Sequence, residues 1–86
     1  MKLIFCPKCQ DVRKLQLSKN ISCSCGCSGG MYLNDLNAIY FGDAIPIGFS
    51  NSSFAKAIRN QPEEGQGGRF EAFIIPKKCN TFKKLH

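Results

Sequence analysis

Cys6-Pro7-Lys8-Cys9 and Cys23-Ser24-Cys25 stand thirteen residues apart near the start of an 86-residue chain. A chain this short buries only a modest core, so an ion that ties two of its segments together constrains the fold more than any other feature. Zinc in a structural role takes thiolate sulfur at about 2.3 Å in a closed tetrahedron. A Cys-x-x-Cys turn aims two sulfurs at one point, and Pro7 favours that turn by fixing its own backbone angle. Lys8 falls at the turn tip, in water. Gly26, after the second pair, is free to take the positive φ of a tight turn. The predicted Zn²⁺ ligands are Cys6, Cys9, Cys23 and Cys25. Cys27 extends the second run and leaves open which of Cys23, Cys25 and Cys27 is the spare thiol.

An even count of six cysteines in a short chain also fits a disulfide framework, and an iron or redox site is a further alternative. Met1-Lys2-Leu3-Ile4-Phe5 is too short for the apolar core of a secretory signal, so the expectation is a reduced, cytoplasmic protein with zinc. No strand-helix-strand pattern surrounds Cys6 and Cys9, which argues against a thioredoxin-like use.

The motifs CPKC and CSCG resemble the two knuckles of zinc-ribbon proteins over roughly the first third of the chain. That resemblance implies knuckles at the tips of β-hairpins. Lys2 to Phe5 and Val12 to Leu17 would flank the first, and Asn20 to Ser22 would lead into the second. The expected fold is a small single α+β domain. It comprises a zinc-ribbon half (1–30), a strand-helix-strand half (31–76) with a small antiparallel sheet and one short helix, and a basic tail (77–86).

The net charge of +6 is uneven. Residues 1–33 carry five basic and one acidic side chain, residues 34–75 three basic and five acidic, and residues 76–86 four basic and none acidic. Lys8, Arg13, Lys14 and Lys19 invite a nucleic-acid reading. The competing reading is that they offset the −2 charge of four thiolates around Zn²⁺. The tail lysines either clamp phosphate or fray in solvent, with Phe82 as a candidate stacking group.

Ser28-Gly29-Gly30 reads as a flexible joint. Met31 to Leu33 and Ala38 to Phe41 read as strands, with turns at Asn34-Asp35 and Gly42-Asp43. Pro46 points to an edge or irregular segment. Ser50 to Ser53 offer capping oxygens to a helix whose Phe54, Ala57 and Ile58 share a face, and Asn60-Gln61-Pro62 should end it. Phe70 to Ile75, apolar on both faces, reads as the central, covered strand of the second half.

A glycine-bearing loop before a helix presents N–H groups and hydroxyls to an anion, so Ser50, Asn51, Ser52, Ser53 and Arg59 form an alternative ligand site, against the simpler reading of an N-cap. The Walker lysine is absent. The sole histidine, His86, is terminal, and Cys79 has no activating neighbour in sequence, so an enzyme is not expected. Gly48 through Pro76 resembles small proteins of phage and prophage type. That resemblance implies an accessory role in a mobile element, and together with the basic ribbon face and tail the expected function is a non-catalytic zinc-stabilised module engaging nucleic acid or a host protein. The alternative is a counter-defence protein that sequesters a nucleotide signal or inhibits a host defence protein, and a further option is a structural subunit that oligomerises through apolar residues near Pro46.

Overall fold

A computed structural model describes residues 1–85 and shows a small α+β fold of two four-stranded sheets and one helix. The strands are β1 (Lys2–Phe5), β2 (Val12–Lys14), β3 (Ile21–Ser22), β4 (Ser28–Tyr32), β5 (Ala38–Gly42) and β6 (Ile45–Phe49). After them come helix α1 (Asn51–Arg59), then β7 (Ala72–Ile74) and β8 (Phe82–Lys84). The first sheet has the order β2-β1-β6-β7 and is antiparallel throughout; the second has the order β3-β4-β5-β8, with β5 and β8 parallel. Each predicted hairpin therefore exists, but the two belong to different sheets.

Ile4 from the first sheet meets Ala38, Tyr40 and Phe82 from the second, with Leu15, Ala44 and Ile75 completing the core. Tyr40 and Phe82 pack edge to face, ring centroids 5.1 Å apart. A hydrogen bond also joins the sheets, the Lys2 N–H donating to the Tyr32 hydroxyl at 2.9 Å, and the Tyr32 N–H donates to the Gln16 carbonyl in the segment after β2 at 2.9 Å.

Four sequence expectations are corrected. Ser28-Gly29-Gly30 is no joint but the buried start of β4, and this strand runs through the division drawn at residue 30. Glycine serves close approach there: a Cβ on Gly30 would lie 2.6 Å from the Ile39 carbonyl, and one on Gly29 would strike the Phe41 ring. Pro46 sits in β6, an interior strand between β1 and β7. Its carbonyl accepts from Ile75 N–H at 3.0 Å, so the bond its missing N–H would donate falls on the same side, just where the β7 ladder ends.

Phe70 to Ile75 is not a covered central strand. β7 spans three exposed residues at a sheet edge, with Phe73 52% and Ile74 67% accessible, and only Ile75 turns inward. Phe82–Lys84 of the basic tail do not fray: this strand, β8, pairs with β5, and Phe82 is fully buried, which removes it as a stacking group.

The helix forms as its sequence implies. The Ser50 hydroxyl accepts from Ser53 N–H, satisfying one orphan donor, and the helix stops before Pro62. Yet α1 buries no residue, and positions 59–74 are exposed throughout. Phe54 instead stacks with Phe49 and Phe70, centroids 5.5 and 4.8 Å away. This projecting segment accords with a radius of gyration of 14.0 Å, above the roughly 12 Å of a compact chain this long. Among the described residues, no helix is long and apolar enough to cross a membrane.

Candidate metal centre

The β1–β2 and β3–β4 hairpin tips carry the cysteines, and their backbones close in parallel ways. Cys6 N–H donates to the Asp11 carbonyl and Cys23 N–H to the Ser28 carbonyl, each at 2.9 Å and five residues along. Within the first turn Gln10 N–H reaches the Cys6 carbonyl at 2.7 Å, with Gln10 at φ 58°. Within the second, Gly26 N–H reaches the Cys23 carbonyl at 3.1 Å, and Gly26 takes the expected positive φ, 79°.

These turns bring the sulfurs of Cys6, Cys9, Cys23 and Cys25 within 4.8 Å of one another. Cys6 and Cys25 are 3.7 Å apart, Cys23 and Cys25 3.5 Å. A tetrahedron of sulfurs about 2.3 Å from its centre has edges of about 3.8 Å, so the spacing fits one metal ion, whereas a disulfide needs about 2.0 Å. All six cysteines are free thiols, and Cys27 stands outside the cluster. Cys6 and Cys23 are buried, Cys9 is half-buried and Cys25 faces solvent.

The surroundings favour sulfur as anion. Ser28 N–H donates to the Cys23 sulfur at 3.3 Å. The Ser28 hydroxyl is buried without a well-formed hydrogen bond, and it lies near the Cys6 sulfur. That hydroxyl first, then the Cys9 amide, pulls the Cys6 thiol down to about 6. Although the Cys27 amide works to lower it, Cys25 is pushed up to about 12, chiefly by the Cys23 sulfur. Four thiols this close cannot all ionise without a cation between them. The orphaned serine hydroxyl and the sulfur spacing both suit a bound metal.

Asp11 locks the two turns together. Its Oδ2 accepts from Ser24 N–H at 3.0 Å, Ser24 Oγ at 2.9 Å and Arg13 Nε at 2.7 Å. The Arg13 guanidinium, followed by Ser24, holds this carboxyl below the usual aspartate range. Lys8 leans away from its turn to pair with Asp43 of the β5–β6 connection at 3.3 Å. Asp43 raises its pKa first, and the Cys27 and Cys25 sulfurs add to the effect.

The nucleic-acid candidates do not form one face. Lys8 and Arg13 are engaged by Asp43 and Asp11, whereas Lys14 and Lys19 are exposed and make no ion pair among the described residues. Arg13 and Lys14 are adjacent on β2, so their side chains leave on opposite sides.

The alternative ligand set around α1 is occupied by the chain itself. Ser50 Oγ caps Ser53 N–H, Asn51 Oδ1 accepts from the N-terminal ammonium, and Ser53 Oγ accepts from Glu71 N–H. Ser52 is exposed at the start of the helix, and Arg59 ends it, about 13 Å from the cap by helical rise. Cys79 is half-buried against the core with its sulfur 3.5 Å from the Thr81 hydroxyl. His86 lies outside the described residues.

Protein families, curated proteins and solved structures were compared with the chain, and none matches.

Sequence reasoning found the four sulfurs and missed Asp11, Ser24 and Ser28. The available signal was internal symmetry: Asp11 follows Cys6 at the same interval as Ser28 follows Cys23.

Proposed function

We propose that Cys6, Cys9, Cys23 and Cys25 hold one structural Zn²⁺ as the paired knuckles of a zinc ribbon, and that the chain is a non-catalytic nucleic-acid-binding module. The observation that carries the reading is the convergence of four sulfurs, from two hairpin tips, to within 4.8 Å. When bound, zinc supplies folding free energy to a small core and fixes the hairpins of the two sheets to each other. Four protein ligands leave no coordination position for a substrate, which supports a binding role over catalysis.

Electrostatics divides the basic residues. Lys8 and Arg13 feel the cysteine sulfurs as well as their carboxylate partners, which suits them to offsetting the charge of the metal site. Lys14 and Lys19 remain for a polyanion. The basic excess supports a polyanionic partner, and the resemblance of Gly48 through Pro76 to small phage and prophage proteins supports an accessory role in a mobile element.

The test has two parts. Elemental analysis of purified protein should give one zinc per chain, and titration of labelled DNA or RNA should give an affinity that falls steeply with salt. Metal-free folded protein, or affinity indifferent to salt, would count against the reading.

A further inference from the structure

The strongest concentration of unpaired charge lies away from the cluster of Cys6, Cys9, Cys23 and Cys25. Lys77, Lys78, Lys83 and Lys84 line one surface depression of about 310 Å³ together with Cys79 and Asn80. None of the four makes an ion pair among the described residues, and residues 76–86 include no acidic side chain. The fold creates this cluster by pairing β8 with β5: Phe82 is anchored in the core, which holds Lys83 and Lys84 on a folded strand, their side chains leaving it on opposite sides, near the loop bearing Lys77 and Lys78.

A second depression, about 420 Å³, shares the lining residue Cys79 with the first and is lined by Lys2, Tyr32, Asp35, Gly48 and Phe73 among others. Phe73 is cross-strand partner to Gly48, and its ring lies where a Cβ would be: one built on Gly48 would be 2.6 Å from Phe73 Cε2. The ring is thus supported from beneath by bare backbone while half of the residue remains accessible. An aromatic platform in a depression that shares Cys79 with a cluster of lysines matches what single-stranded nucleic acid requires: cations for phosphates and a flat apolar surface for a base.

We infer that the chain binds single-stranded nucleic acid on its β7–β8 side, with backbone phosphates on Lys77, Lys78, Lys83 and Lys84 and a base stacked on Phe73. This rests on the nucleic-acid reading above and moves its interface from the ribbon lysines to the C-terminal strand. Asn80 sits among the lysines as an additional donor to phosphate or base.

The experiment is fluorescence anisotropy of the zinc-loaded full chain with a labelled twelve-nucleotide single strand and its duplex, across a salt series. Substituting Lys77, Lys78, Lys83 and Lys84 by Gln should flatten the dependence of log affinity on log salt by up to about 3 for the single strand. The loop pair Lys77→Gln/Lys78→Gln, which leaves β8 intact, should flatten it by about 1.4. Phe73→Ala, at a half-accessible site, should weaken single-strand binding roughly 5- to 150-fold while leaving duplex binding unchanged. If both lysine variants keep the parental slope while Lys14→Gln/Lys19→Gln flattens it, the β7–β8 interface is wrong and the nucleic-acid reading survives. If Phe73→Ala leaves single-strand affinity unchanged, the stacking platform is wrong. If the unmodified protein binds neither probe at low salt, both the interface and the reading it rests on fall.

Discussion

Asp11 and Ser24 join the two cysteine turns through a single carboxylate oxygen, which accepts the Ser24 amide at 3.0 Å and the Ser24 hydroxyl at 2.9 Å. Neither residue is a ligand, yet the bond fixes how one hairpin tip faces the other, and so where the sulfurs converge. Groups of this kind typically account for a 10- to 100-fold range in metal affinity, roughly. Asp11→Ala is expected to weaken zinc binding by roughly that factor in competition with a chromogenic chelator. Asp11→Asn should retain part of the affinity, because an amide oxygen can still accept from Ser24.

Acid should uncouple the same contact. The Asp11 carboxyl is held below its ordinary value, first by Arg13 and then by Ser24. A depressed folded-state pKa contributes stability that is complete above the unfolded value, about 3.9, and is lost as pH falls through the lower folded value. The difference in melting temperature between parent and Asp11→Asn should therefore be constant near pH 6 and narrow as pH falls below about 3.9. A gap that persists at the acid end would show that the carboxylate charge is not what matters.

Cys25 and Cys27 give a clean contrast. Cys25→Ser removes a sulfur from the cluster and should lower zinc content and cooperativity of unfolding together. Cys27→Ser should leave both intact, since Cys27 stands outside the cluster. The contrast is read by metal analysis and thermal melting of the two variants side by side.

Closely approached glycines set the packing of the second sheet. Gly30→Ala would bring a methyl to 2.6 Å from the Ile39 carbonyl, a backbone atom that cannot swing aside. Destabilisation of about 1–3 kcal/mol by chemical denaturation is expected. An alanine accepted at no cost would mean that β4 and β5 are further apart than described.

The C-terminal strand is structural as well as basic. Phe82→Ala deletes the most buried aromatic ring of the core and should cost about 3–5 kcal/mol. Removing residues 79–86 should abolish cooperative melting. A truncated chain that still melts as sharply as the full one would refute the role of β8.

What was readable in the sequence followed from short-range chemistry. The Cys-x-x-Cys turn, the positive φ of Gly26 and the Ser50 cap are decided within a few residues, and each is present. What failed depended on distant partners. Gly29 and Gly30 look like a hinge until Phe41 and Ile39 are laid across them, and Phe82 looks like tail until Tyr40 receives it. Phe70 to Ile75 reads as core by composition, but the helix packs on Phe49 and Phe70 through one aromatic cluster and leaves β7 uncovered. The sulfur cluster was visible because the spacing within each cysteine pair is local. The Asp11–Ser24 lock was not, because the interval shared by Asp11 and Ser28 marks their backbone carbonyls and says nothing of which group thirteen residues away the Asp11 carboxylate reaches.

The most direct test of the central claim is elemental analysis combined with melting before and after chelation. One zinc per chain is expected, with loss of cooperative melting once the metal is stripped. Protein that contains no metal and unfolds at the same temperature with or without chelator would contradict the account.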